Sequence, residues 1–398
     1  MKRLFILSAA VAALASCSNS EVITEVNEPQ VPDKAIAFET FSSNATREGA
    51  ENSGATTTQG LEKHHQNFQV WAYKDVQSDY VFNGTEVSHN STDDIWKYAP
   101  IRFWDKGANK YYFYACAPST KNVTSPKFEL KQQVSNPQKG DYFVLPSVTL
   151  QNETMSETSL KEEYTVSNAQ NTDYMIASPC VIADPKSASK VQLNFNHILS
   201  RLNVGVKKAT KPVADNPFTT AIVTLNELKV CNMQSTGSFD ESATITTGTL
   251  AGGTTKRWNT TSSPVFDYTY TTASTVNTAE SFVLQSLVIP QTVSYENVTL
   301  DGKSNGSDLT TTNAPYIYIK YNIKAATNDQ TGENFVRYIN LAKAFGKSAE
   351  NESVAFNEGW QNTLHITIDA DVISFDADVY RWAENNSSIT NEGNTVTP

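Results

Sequence analysis

The sequence predicts an all-β protein built as two tandem β-sandwich domains, and three observations carry that prediction. Thr, Val and Tyr are abundant, while helical periodicity is nowhere sustained. Short apolar and aromatic runs are separated by turn signals, as in Val81-Phe82-Asn83-Gly84-Thr85-Glu86-Val87, where Asn-Gly marks a tight turn. At 398 residues the chain is long enough for two domains of ordinary size. Hydrophobic content of 39% and aromatic content of 10% exclude a disordered polar chain. A formal net charge of −11 excludes nucleic acid as a natural partner and disfavours anionic headgroups.

The N-terminus reads as an address. Lys2 and Arg3 precede an apolar run from Leu4 to Leu14 that is too short to cross a membrane, so residues 1–16 form a secretory signal. Leu14-Ala15-Ser16-Cys17 has the form of a bacterial lipobox, with cleavage between Ser16 and Cys17 and acylation (palmitate-type chains) of Cys17. Each buried CH₂ contributes about 0.8 kcal/mol, so several chains anchor the protein firmly without a membrane-spanning segment. Residues 17–34 are a polar tether containing Pro29 and Pro32.

Ala35 to Phe41 is a strand with Ile36 and Phe38 on one face, opening an N-terminal domain over residues 35–188. Residues 42–60 are small and polar, a protease-accessible loop. Arg47 is the lone Lys or Arg between residues 35 and 62, so a trypsin-like cut falls between Arg47 and Glu48. Composition alone makes Arg47 an ordinary surface arginine.

Aromatic strands follow at Phe68 to Tyr73, Val81 to Val87, Trp96 to Tyr98, Phe103-Trp104 and Tyr111 to Ala115, with a further piece at Tyr142 to Leu145. Their rings fill a core between sheets. The small, polar stretch Asp184 to Lys190 is the linker, and Val191 to Phe195 opens a C-terminal domain over 189–382. Strands are expected at Leu202 to Val206, Ala221 to Val230, Ser281 to Ile289, Tyr316 to Ile323 and Phe335 to Leu341, with one helical turn at Ala342 to Phe345.

The chain closes on alternation. Leu364, Ile366, Ile368, Ala370 and Val372 share one phase; at Ile373 the phase slips, and Ile373, Phe375, Ala377 and Val379 continue in the other. A slip of one residue turns the apolar set over unless a bulge or break absorbs it. Two linked amphipathic strands result, either able to add to a sheet that lacks one. A polar tail, 383–398, follows.

The ordered set FQVWAY, VFNGTEV, WKYAP, RFW, YYFYACAP, DYMIA, VQLNFNHILSRLNVGV and GWQNTLHITI resembles the fimbrillin-like pilins of Bacteroides-type bacteria. The resemblance implies two transthyretin-like (Greek-key) β-sandwich domains, exported as an outer-membrane lipoprotein and assembled into surface pili for adhesion. It implies that a surface protease removes the first strand (Ile36 and Phe38), cutting after Arg47. Another subunit's closing strand then fills the groove. On this chain the donor residues are Leu364, Ile366, Ile368, Val372, Ile373, Phe375 and Val379. Partners are then other pilin subunits, the outer membrane through the lipid, and a host or bacterial surface ligand. The rival reading is a monomeric surface lipoprotein or tip adhesin that binds glycans.

Enzymatic chemistry finds little footing, and neither cofactor nor metal is expected. Gly302-Lys303-Ser304-Asn305-Gly306 matches G-x-S-x-G literally but is flanked by turn residues, where a nucleophile elbow needs a strand before and a helix after. His197, between apolar neighbours, reads as a hydrogen-bonded core histidine; His64 and His65 sit beside the processing loop. Asp369 with Asp371, and Asp376 with Asp378, read as the polar edge of the closing strands. Cys116, Cys180 and Cys231 read as buried thiols, with one bridge among them still open.

Overall fold

Alternation is realised as strand almost throughout. The computed structural model describes residues 35–42, 60–75, 80–105, 107–132, 140–151, 171–186, 190–210, 217–243, 257–260, 265–295, 314–325, 331–349, 351–369 and 372–381. Ser16, Cys17, Arg47, Glu48, the serine motif at 302–306 and the tail at 383–398 lie outside them.

In chain order the strands are β1 (Ala37–Ser42), β2 (Asn67–Lys74), β3 (Tyr80–Asn90), β4 (Ile95–Lys97), β5 (Tyr111–Ala117), β6 (Glu129–Lys131), β7 (Tyr142–Thr149), β8 (Met175–Ala177), β9 (Cys180–Ile182) and β10 (Lys190–His197). Then come β11 (Ser200–Lys208), β12 (Ile222–Gln234), β13 (Thr236–Asp240), β14 (Trp258–Thr260), β15 (Val265–Tyr270), β16 (Ser274–Val276), β17 (Ser281–Val288), β18 (Gln291–Ser294), β19 (Tyr316–Lys324) and β20 (Glu333–Asn340). The helical turn α1 (Leu341–Ala344), β21 (Ser353–Phe356), β22 (Trp360–Ile368) and β23 (Ile373–Arg381) follow as the last of the described elements. The Asn340 side chain caps α1 by accepting from the Lys343 N–H at 3.1 Å.

The first sheet runs β1-β10-β8-β5-β2-β3-β4, with β9 also on β5. Its two edges, β1 and β4, approach each other around a core of Ile36, Phe38, Phe68, Val70, Phe82, Phe113, Val191, Leu193 and Phe195. A second sheet, β17-β11-β22-β23, packs on a third, β15-β12-β19-β20 with β16, around the largest core. A fourth, β14-β13-β7-β6, takes two strands from each half of the sequence. It covers a third core, where Trp71, Tyr114 and Phe143 meet Phe239, Trp258, Leu287 and Ile289.

Three expectations change. The boundary drawn between residues 188 and 189 cuts too early, because β10 pairs with β1 and β8 in the first sheet and buries Val191, Leu193 and Phe195 there. Asn83-Gly84 is no hairpin turn. β3 runs through it, and the two residues stand opposite Trp71 alone, between the pairs Val70↔Thr85 and Ala72↔Phe82. Gly84 takes φ +64° in this bulge, and a Cβ there would come within 2.8 Å of the Gln69 side chain.

The third concerns the chain's end. The phase slip is a tight hairpin turn, closed where the Asp369 N–H donates to the Val372 carbonyl at 2.9 Å. β22 and β23 then pair with each other, Ile368 opposite Ile373 and Ile366 opposite Phe375. Val372, expected on the buried face with Leu364, sits in this turn 36% exposed, because β22 ends at Ile368 before the phase reaches it.

Candidate assembly site

β1 is short, apolar on one face and bonded to one strand. Its register on β10 is parallel, Phe38 opposite Val191, Thr40 opposite Leu193 and Ser42 opposite Phe195. Both strands therefore bury the same phase: Ile36, Phe38, Thr40 and Ser42 point inward, while Glu39 faces Gln192 outside, whose amide donates to Glu39 Oε2 at 3.3 Å. The Phe38 ring makes edge contacts with Phe68, Phe82, Tyr98 and Phe113, at centroid distances of 5.5, 5.6, 5.7 and 6.2 Å.

Beyond this ladder, contacts just before and along β1 hold it among the described residues. Ile36 donates to the Arg102 carbonyl at 2.8 Å and accepts from the Tyr98 hydroxyl at 2.6 Å. Burial raises the Tyr98 pKa, so the phenol stays a donor at any physiological pH. The Leu61 N–H reaches Thr40 Oγ1 at 3.3 Å. Along the other side of β1, a cleft of about 560 Å³ separates it from Asp93, Ile95 and Trp96 at β4. β1 is thus an edge strand with a buried face, held chiefly by side-chain insertion.

The closing hairpin is asymmetric. β22 is bonded on both sides, to β11 in parallel and to β23. Asn362 reinforces it, donating to Ser200 Oγ at 3.0 Å and to the Arg201 carbonyl at 3.3 Å. Among the described residues β23 has one neighbour and ends its sheet. Leu364, Ile366, Ile368, Ile373 and Phe375 are buried, and Val379 packs partly against the same core. Of the expected donor residues, six share that core; Val372 does not.

Asp378 on β23 is more than a solubilising carboxylate. His365 on β22 bonds Glu280 through Nδ1, at 2.8 Å to Oε1, and Asp378 through Nε2, at 3.2 Å to Oδ2. Burial opposes the imidazolium, but the bonds and charge of Glu280, then of Asp378, outweigh it and hold the His365 pKa above its usual value.

His197 is the buried, hydrogen-bonded histidine expected, with Nδ1 at 2.8 Å from Asp173 Oδ2. His64 and His65 are buried beside it, an arrangement no sequence spacing signals because His64 and Asp173 are far apart in the chain. Cys116 and Cys231 are buried and Cys180 half-buried, all as free thiols.

One sequence correspondence emerges once β1 and β23 are defined structurally. Ile36-Ala37-Phe38-Glu39-Thr40-Phe41-Ser42 and Ile373-Ser374-Phe375-Asp376-Ala377-Asp378-Val379 share Ile, Phe and an acidic residue at matching places. In both, Ile and Phe are buried and the acidic side chain lies outside.

Residues 54–382 match the profile of a family described as fimbrillin-like. No curated protein matches the sequence. Among solved structures, the chain is similar to a proposed cell adhesion protein of Bacteroides uniformis, at 13% identity and a TM-score of 0.46, over 89% of this chain and 100% of that one. A fimbrial protein of Bacteroides vulgatus gives 14% and 0.44, over 88% and 100%. The tip fimbrial protein Mfa3 of Porphyromonas gingivalis, truncated at its C-terminus, gives 9% and 0.38, over 88% and 100%.

Proposed function

The chain belongs to the fimbrillin-like family, and on that premise we propose that it is a structural subunit of cell-surface fimbriae that polymerises by exchanging β1 for a neighbour's β23. In this reading the chain is exported, lipidated at Cys17, held at the outer membrane and cut between Arg47 and Glu48. Its partners are other subunits, and its role is adhesion rather than catalysis. The domains are tandem transthyretin-like sandwiches whose junction is shared through the fourth sheet.

The observation that carries the proposal is the match between the two edge strands. A donor entering the vacated groove in the direction of β1 places Ile373 where Ile36 was, Phe375 where Phe38 was and Asp376 where Glu39 was. β23 suits the role better than β22, which would have to break two ladders to leave.

The energetics are close to balanced. Burying Ile36 and Phe38 contributes ~1.5–3 kcal/mol each, and β23 gives up similar contacts in its own sheet to gain them in a neighbour's. While β1 is covalently attached its effective concentration is on the order of millimolar, so it outcompetes a second molecule. Cutting the 42–60 loop removes that advantage: β1 can then leave, and the neighbour's strand takes over. Polymerisation waits for the protease.

The test is Arg47→Ala in the full chain. The expected outcome is a monomer that resists nicking and never forms ladders, beside a wild type that is nicked once and forms ladders stable in mild detergent. Ladders from Arg47→Ala under native conditions would overturn the reading.

A further inference from the structure

We propose that His64, Asp173 and His197 form a binding site for one divalent transition-metal ion of the zinc type. Three stretches converge there: the turn after residue 60 supplies His64, the segment before β8 supplies Asp173, and the end of β10 supplies His197. The candidate ligand atoms all lie within 4.8 Å of one another, and all three residues are buried. In a tetrahedral site with bonds of ~2.0–2.1 Å, ligand atoms stand roughly 3.3 Å apart, so small side-chain rotations close this set around an ion. Two imidazoles and one carboxylate are the donor types zinc accepts, with the fourth position left to water.

The second observation is electrostatic. Asp173 is 1% exposed; its Oδ2 meets His197, while its Oδ1 is buried without a hydrogen-bond partner among the described residues. A buried carboxylate oxygen without a partner is destabilising unless a cation faces it. His65 is buried beside these residues. The His64 and His197 rings meet edge to face, 5.2 Å between centroids.

An ion here would fasten the first residues after the 43–59 segment to β8 and β10, beside the end of β1. All three ligands follow Arg47 in sequence, so the site stays with the body of the chain whether or not the chain is cut or polymerises.

The test uses untagged full-length protein, stripped with a chelator and titrated with Zn²⁺ by calorimetry and with Co²⁺ by visible absorption. One equivalent bound, an intense tetrahedral Co²⁺ spectrum and a higher melting temperature with Zn²⁺ are expected. Asp173→Asn and His64→Ala should weaken Zn²⁺ binding by at least the ~10–100-fold that even outer-sphere partners of a metal carry. His89→Ala, whose ring pairs with Asp94 and is not one of the three proposed ligands, should bind as the wild type does. Circular dichroism establishes that each variant is folded; if His64→Ala is not, Asp173→Asn, which preserves volume, decides. A folded wild type that takes up no metal, a weak octahedral Co²⁺ spectrum, or uptake unchanged in folded Asp173→Asn each overturns the site.

Discussion

Phe38 carries much of what holds β1 in place. It is 5% exposed, and four aromatic rings enclose it. Deleting a buried phenylalanine side chain costs ~3–5 kcal/mol, and an edge strand relaxes more readily than a central one, so Phe38→Ala should cost about 3 kcal/mol. Urea unfolding followed by tryptophan fluorescence measures this, with the midpoint falling and the slope preserved.

His365 and Glu358 make the second half pH-sensitive in one direction. The His365 pKa is raised by its two carboxylates, and that of Glu358 is pushed up to about 7 chiefly by burial, despite its ion pair with Arg257. A group whose pKa rises on folding stabilises the fold below its unfolded pKa and loses that contribution as pH rises through the folded one. For Glu358 the loss runs from about 4.5 to about 7, and for His365 from about 6.5 upward. Unfolding midpoints should therefore fall as pH rises above about 4.5, and His365→Gln should flatten the part of that slope above about 6.5. An unchanged slope in the variant would remove the clamp on β23 from the account.

At the scale of the element, β1 and β23 are edges and β22 is not. Amide exchange should be faster along β23 than along β22, since β22 alone of the pair is bonded on both sides. β1 can also be fastened. Glu39 and Gln192 are direct partners whose side chains already touch, and neighbouring strands lie ~4.8 Å apart, within reach of a disulfide. Glu39→Cys with Gln192→Cys should be nicked normally yet keep its first strand and stay monomeric until reduced. Polymers formed without reductant would show that β1 need not leave.

At the scale of the whole molecule, the exchange predicts its own register. Mixing one chain carrying Asp376→Cys with another carrying Gln192→Cys, both in a Cys180→Ser background, should give a cross-linked dimer after proteolysis and none before it. Cross-linking to a position shifted by one residue instead would place the apolar set on the wrong face and refute the match between β1 and β23.

Much of this was legible in the chain itself. Period two marked β1, β10, β22 and β23, and a slip of phase at Ile373 marked a discontinuity, because side-chain direction in a strand is a local property. His197 between Phe195 and Ile198 announced a buried histidine for the same reason. The Asn-Gly bulge in β3 was misread as a turn, since the same left-handed glycine serves both and the partner strand decides between them.

The sequence by itself determined that the protein is all-β, which face of β1, β10 and most of the closing strands is buried, and that amphipathic strands lie near both its ends. Only the tertiary structure decided who pairs with whom: β1 alongside β10, β7 beside β13, β23 at an edge and β22 inside. It alone brought His64 to Asp173 and His197. The reason is that a strand's ladder is completed by residues at any distance along the chain. One-dimensional pattern fixes where a side chain points and leaves open what it meets.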